Sequence, residues 1–259
     1  MPGGGFNYID KEFLLHLIFI ERRGLMASIE TIINRQIGRW EMERRLKTEA
    51  ERERGKASVR LIVTISRQRG SRGSYLAERL AERLDYQLLH REIIDEVCNS
   101  SGYRRQVIES LDDKARSNIE LWFDGMIKRQ YVDASGYFRH LLKVIRSFAE
   151  YSGVVVVGRG ANYILGSRQG YHIRVVAEND TRIENLMKYQ SLSREQATQE
   201  TKDSDRERAD FIKSNFKRDI DDPGGYDLII NSTYTDIVRA LEMVQLGINA
   251  KTDFINMTT

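Results

Sequence analysis

Val59-Arg60-Leu61-Ile62-Val63-Thr64-Ile65 runs without a break into Ser66-Arg67-Gln68-Arg69-Gly70-Ser71-Arg72-Gly73-Ser74, and the reading of that junction decides the fold. The first seven residues are mostly apolar and β-branched, the pattern of a short buried strand. In the next nine, Gly70, Ser71 and Gly73 are small enough for backbone N–H groups to wrap an anion. Beyond them Leu76, Leu80 and Leu84, with Ala77 and Ala81, recur at helical spacing. Strand, glycine turn and helix in that order make a phosphate loop, in which the helix N-terminus turns its positive end to the ligand. A standard loop of this kind then places Lys against the phosphates and Ser or Thr on magnesium. Here Gly73 stands at the lysine position and Ser74 at the hydroxyl position. Arg69 or Arg72 is left to supply the missing charge, and Arg72 is taken as the catalytic one, although an Arg fork is not a Lys point charge. On its own, the turn reads equally well as an ordinary tight turn.

Working outward, further strands are expected at Gln87–Leu89, Val154–Val157, His172–Val176 and Asp227–Ile230. Four consecutive valines between Gly153 and Gly158 are apolar on both faces, as a central parallel strand must be. Helical patterns fill the intervals: Ile93 to Val97, most of Tyr103 to Tyr151, Glu178–Gln190, Arg194–Lys217 and Ile237–Val244. Strands alternating with helices predict βαβ units and a parallel sheet flanked by helices, a three-layer α/β fold. Ligands in such folds bind beyond the carboxyl ends of the strands.

Before the first strand, Ile29, Ile32, Ile33, Gln36, Ile37 and Trp40 make one helical stripe, with Ser28 as N-cap. The chain therefore divides into an N-terminal extension and amphipathic helical arm, 1–57, and an α/β domain, 58–259. The stripe is expected to dock on the main domain or on a second subunit, making a homodimer through the N-terminal helix. The Gly-rich residues 1–25 read as an over-extended start, with translation beginning at Met26.

Bulk composition narrows the classes. Net charge is +3 from 41 basic and 38 acidic residues, too balanced for a nucleic-acid field. The longest apolar run, Phe13 to Ile20, is far short of the ~20 residues of a spanning helix and lacks a signal-peptide flank. One cysteine, Cys98, allows no intramolecular disulfide and reads as a small buried hydrophobe; the chain is expected in the cytoplasm. The four histidines have no zinc spacing.

Three segments add to the loop: Gly158-Arg159-Gly160 after the valine strand, Lys202-Asp203-Ser204-Asp205-Arg206-Glu207-Arg208, and Tyr226–Asn231 followed by Ser232 and Thr233. In this order they resemble the cytidylate kinase-like family of P-loop kinases from about Arg60 to Val244. The resemblance implies the P-loop kinase fold, with a helical lid around 190–218. It implies ATP and Mg²⁺ as cofactors, with Gly70, Ser71, Arg72, Gly73 and Ser74 on the donor phosphates and Ser74 on the metal. Arg159 corresponds to an Arg that contacts the monophosphate nucleotide, but Gly160 replaces the Asp beside it. Arg146, in a segment where Leu141, Leu142 and Phe148 also match, is implied as a phosphate ligand, and Arg91 as a nucleotide-site Arg. From the lid, Lys202, Arg206 and Arg208 are implied to close on the transferring group, with Asp205 on the substrate. As a charge run, the same stretch would be a solvated helix face.

The expected activity is transfer of the ATP γ-phosphate to a nucleoside monophosphate, which the resemblance implies to be of the CMP class. The alternatives are a non-catalytic nucleotide-binding module with an oligomerisation arm, and a kinase for a different small phosphate acceptor.

Overall fold

The computed structural model describes residues 61–258, apart from 110, 112, 129–135 and 152, together with Thr31, Asn34, Gly38 and Met42. The Ile29–Trp40 stripe, the Met26 start and the dimer contact through the arm lie outside the described residues.

The chain runs β1 (Ile62–Arg67), α1 (Gly73–Leu84), β2 (Gln87–Leu89), then four helices, α2 (Arg91–Asn99), α3 (Ser101–Glu109), α4 (Asp113–Lys128) and α5 (Gly136–Tyr151). It continues through β3 (Val154–Val157), α6 (Ala161–Leu165), β4 (Gly170–Val176), α7 (Asn179–Gln190), α8 (Arg194–Phe216), a short 3-10 turn, β5 (Leu228–Asn231) and α9 (Ile237–Thr258). The strands form one parallel sheet in the order β2-β3-β1-β4-β5.

Side chains alternate across a strand, and the alternation divides the core in two. Ile62, Val154 and Val156 face α2 and α5, where Ile94 and Phe148 meet them. Val63, Ile65, Val155 and Val157 face α1 and α9, against Leu76, Leu80 and Val244. All four valines of β3 are fully buried, so no position on that strand tolerates a polar side chain. Burying each is worth ~1.5–3 kcal/mol by transfer bookkeeping. Beneath α2, Cys98 is buried as expected, and burial, then the nearby Asp95 charge, push its thiol pKa up to about 12.

The last helix extends well past Val244. Gly247 does not end it, because a Cβ there would lie 1.9 Å from the Tyr171 hydroxyl. The glycine makes room for a sheet residue, and the helix runs on to Thr258. The lid region is the antiparallel pair α7 and α8, packed on Ile183, Leu186 and Ala197. A capping box of Ser193 and Gln196 starts α8. Among the described residues, no helix is long and apolar enough to cross a membrane.

Toward the amino end of the sheet, Asp227, His172 and Thr64 are closed on one another and on neighbouring groups. Asp227 accepts from the His172 amide at 2.7 Å and from Lys251 Nζ at 2.6 Å. The His172 ring spans Thr64 Oγ1 at 2.8 Å and the Gly166 carbonyl at 2.9 Å. A carbonyl only accepts, so Nε2 carries the proton and Nδ1 accepts from the threonine hydroxyl.

Candidate active site

The site lies at the carboxyl ends of β1 and β3. As β1 leaves the sheet, the Gln68 amide still bonds the Val175 carbonyl at 3.0 Å. The chain then turns: the Ser71 amide and hydroxyl both donate to the Gln68 carbonyl, at 3.3 and 2.9 Å. Gly70 has φ +81° and Arg72 φ 59°, and α1 starts at Gly73. Among the described residues, the amides of Gly70, Arg72, Gly73, Ser74 and Tyr75 have no hydrogen-bond partner. They form the nest expected of a phosphate loop.

The lid holds this loop from outside. Arg182 on α7 is buried; its Nε donates to the Arg69 carbonyl at 2.7 Å and its Nη2 to Asp205. Asp205 on α8 also takes the Arg69 amide at 3.2 Å, and Asn185 donates to the Gly70 carbonyl at 2.9 Å. A Cβ on Gly70 would come within 2.4 Å of the Arg182 carbonyl oxygen, so only glycine fits. Ser232, just after β5, donates to the Ser71 carbonyl at 2.8 Å.

Inside the mouth is a cavity lined by Thr64, Arg67, Arg91, Arg159, Arg208 and Tyr226, among others. Arg67 ends β1. Its Nε donates to Ser74 Oγ at 3.3 Å, and among the described residues no carboxylate pairs with it. Burial first, then the Arg208 charge, pull its pKa down to about 9, which Glu92 only partly opposes. Arg208 stands 3.5 Å from Asp205, and its Nη1 is buried without a hydrogen bond. Burial is the main reason its pKa is lowered; Asp205 opposes this, while Arg69 and Arg91 add to it. Arg91 reaches Glu207 on α8 at 3.2 Å.

Arg159 has φ 55° and lies with its guanidinium 5.2 Å from the Phe211 ring centre. It grips Asp95 of α2 with both Nε, at 2.7 Å, and Nη2. Tyr137 donates to the same carboxylate at 2.5 Å. Burial is the strongest single influence and works against the Arg159 charge, but the hydrogen bonds to Asp95 together with the Tyr137, Asp95 and Glu207 groups raise the pKa above its ordinary value. At Gly160, a Cβ would lie 2.3 Å from the Phe216 ring, which leaves no room for an aspartate there. The acid beside Arg159 is Asp95 instead.

The structure sets several of the residues expected from sequence apart from this cavity. Arg146 sits at the amino end of the sheet, stacked 4.6 Å from the Trp122 ring centre and donating to Gln169, which precedes β4. It is not in the mouth. Lys202 and Arg206 point to solvent, and Arg206 pairs with Asp203 at 2.7 Å. Asp205 holds the loop and Arg182 rather than facing the cavity. Arg72 is flanked by the Tyr75 and Tyr189 rings, 4.9 and 5.0 Å from their centres, on a different hollow from Arg67. Arg91, Arg159 and Arg208 line one cavity with Arg67, whereas the loop residues Gly70 to Ser74 are not part of its lining. Arg67, Asp95 and Arg182 had been overlooked.

The profile described as the cytidylate kinase-like family matches residues 62–234. No curated protein gives a match. Among solved structures, an uncharacterized protein from Eubacterium ventriosum ATCC 27560 is 23% identical, with a TM-score of 0.59 over 74% of this chain and 99% of its own. It shares the fold. A gluconokinase from Sinorhizobium meliloti 1021 (12% identity, TM-score 0.41, 79% and 99% covered) and a shikimate kinase from Bacteroides thetaiotaomicron (14%, 0.37, 76% and 98%) superpose too loosely to carry an argument.

Proposed function

The chain belongs to the cytidylate kinase-like family, and on that premise we propose that it transfers the γ-phosphate of ATP to a nucleoside monophosphate of the CMP class. The observation that carries this reading is the mouth itself, where open loop amides stand beside the Arg67 and Arg208 guanidiniums, which have more positive charge than local acids offset. Such an arrangement suits phosphoryl groups, whose transfer calls for positioning and charge neutralisation more than covalent chemistry.

In the reaction an oxygen of the acceptor phosphate attacks the γ-phosphorus, the bond from that phosphorus to the β-bridging oxygen breaks, and ADP leaves. No general base is required, because the acceptor is already an anion. The amides of Gly70, Arg72, Gly73, Ser74 and Tyr75 hold the donor phosphates. Arg208 comes from the lid and bears on the transferring group. Arg159 and Asp95 line the acceptor side, where a guanidinium and a carboxylate together offer donors and acceptors to a base edge. Closure of α7 and α8 over the loop keeps water out.

The family implies ATP and a divalent metal in general. The surroundings of Ser74 do not fit a metal, since its hydroxyl accepts from Arg67 at 3.3 Å and faces a cluster of guanidiniums. No step is therefore routed through a cation on Ser74. The same proposal places the enzyme in the cytoplasm.

Asp205 on the Arg69 amide favours a second reading, a nucleotide-binding module that does not turn over. An ADP-release assay with ATP and a panel of monophosphates separates the two. The kinase reading expects ADP release that depends on the acceptor, highest with CMP or dCMP. Nucleotide binding with no release for any acceptor would leave the module.

A further inference from the structure

We propose that Arg67 supplies the phosphate-binding charge that the loop lacks at Gly73. The inference rests on the reading of the mouth as a phosphotransfer site, and names the residue that makes that site work without the usual lysine.

Three observations carry it. The first is steric. A Cβ built on Gly73 would meet Arg67 Cβ at 2.6 Å, Val175 Cβ at 3.0 Å and Arg67 Cγ at 3.2 Å. The stem of Arg67 thus fills the space into which a side chain at 73 would start, and a loop lysine and Arg67 exclude one another. The second is direction. From the end of β1 the guanidinium passes beneath the helix start, donates to Ser74 Oγ at 3.3 Å, and brings Nη1 to within 2.8 Å of where a Gly158 Cβ would stand. It therefore lies between the helix start at Ser74 and the turn after β3, and Arg67 and that turn both line the cavity.

The third is charge. The nearest strong influences on Arg67 are Arg208, Arg91 and Arg69, with Glu92 the one acid that opposes them. A guanidinium has five donors. Among the described residues, Arg67 has one hydroxyl as partner and no carboxylate. Arg91 has Glu207 and Arg69 has Glu200 at 2.5 Å, while Arg208 shares Asp205 with Arg182 and the Arg69 amide. A half-buried cation without a counterion is costly, and the cost is reduced when an anion arrives. A phosphate oxygen is such an anion, and a guanidinium meets it with paired donors. The same hydrogen bond turns Ser74 away from metal binding, so the arginine supplies positive charge where a standard loop relies on lysine and a hydroxyl-bound cation.

The test is calorimetric titration of the full-length protein with ATP in the presence of excess EDTA, so that no metal contributes. Wild-type protein should bind. Arg67→Gln should weaken binding about 10- to 100-fold, as expected for loss of a hydrogen bond to a charged group. Arg67→Lys, which keeps charge but not the fork, should fall between them. Thermal melting of each variant separates weakened binding from misfolding. As a second route, Arg67→Gly combined with Gly73→Lys moves the charge to the standard position, and should recover affinity that Arg67→Gly alone loses. If wild type binds and Arg67→Gln binds equally well, or if the double variant recovers nothing while remaining folded, this inference is overturned and the kinase reading stands. If wild type binds no ATP and turns over no acceptor, both fall together.

Discussion

The two ends of the sheet treat charge in opposite ways. Toward the amino end, Asp227 is shared by Lys251 and the His172 amide, the His172 ring is bonded on both nitrogens, and Arg146 lies on an indole with Gln169 as its acceptor. At the carboxyl end, Arg67 pairs with no acid and Arg208 keeps a buried nitrogen without an acceptor, among the described residues. Both ends are polar, and Arg146 Nε at the amino end also lacks a partner among the described residues, but only the carboxyl end gathers several arginines around one cavity. A protein that folds alone closes its buried polar groups, so the end left open is the end where a ligand is expected.

Substitutions at the two ends should therefore fail in different ways. The largest effect is expected from Arg208→Ala, which should lower kcat about 100- to 1000-fold, as loss of a group that stabilises the transferring charge does. Arg206→Ala, two residues away on the exposed side of α8, should stay within about twofold of wild type. Steady-state kinetics on the pair checks this, and equal loss in both would make the charge of α8 nonspecific. At the other end, Asp227→Ala should leave kcat alone and cost about 1.5–3 kcal/mol of stability, the range for hydrogen bonds to charged groups. Denaturant unfolding measures it; a kinetic defect without a stability loss would erase the contrast.

Acid should act through the amino end as well. Burial is the main reason the His172 pKa lies below its ordinary value of 6.5. The unfolded chain then takes up a proton at a higher pH than the folded one. Stability is complete above about 6.5 and declines as pH drops below it. His172→Gln should flatten the decline in melting temperature between pH 7 and pH 5, and an unchanged slope would assign the decline to other groups. The smallest effect is expected for Arg146→Ala: unchanged kinetics, and a loss of about 1 kcal/mol or less for its stack on Trp122.

The same contrast explains what could be read from the sequence. Val154–Val157 and Ile62–Ile65 declared their strands because a parallel sheet covered on both faces favours a nearly continuous apolar run; β1 then continues two residues further, to Arg67, than the apolar pattern indicates. The loop was legible because Gly70, Ser71 and Gly73 are small where backbone must meet an anion. Arg206 and Arg208 looked alike because a charge run does not declare its helical phase; two residues on a helix are about 200° apart, and only one faces inward. Leu141, Leu142 and Phe148 match the resemblance because they are core, whereas Arg146 on the same helix turns to the wrong end of the sheet. Asp95 left no local signal, since it stands 64 positions from Arg159 in the chain. Arg67 was hidden in plain view as the last residue of a strand, and its importance depends on the Gly73 backbone beside it.

The lone thiol at Cys98 has a practical consequence. A sulfur that keeps its proton to about pH 12 beneath a helix presents almost no thiolate to an alkylating agent or a peroxide under working conditions. A cysteine engineered onto the surface of α7 or α8 would then be the single reactive handle in the molecule. A fluorophore or spin label could report on the lid without first removing the native residue.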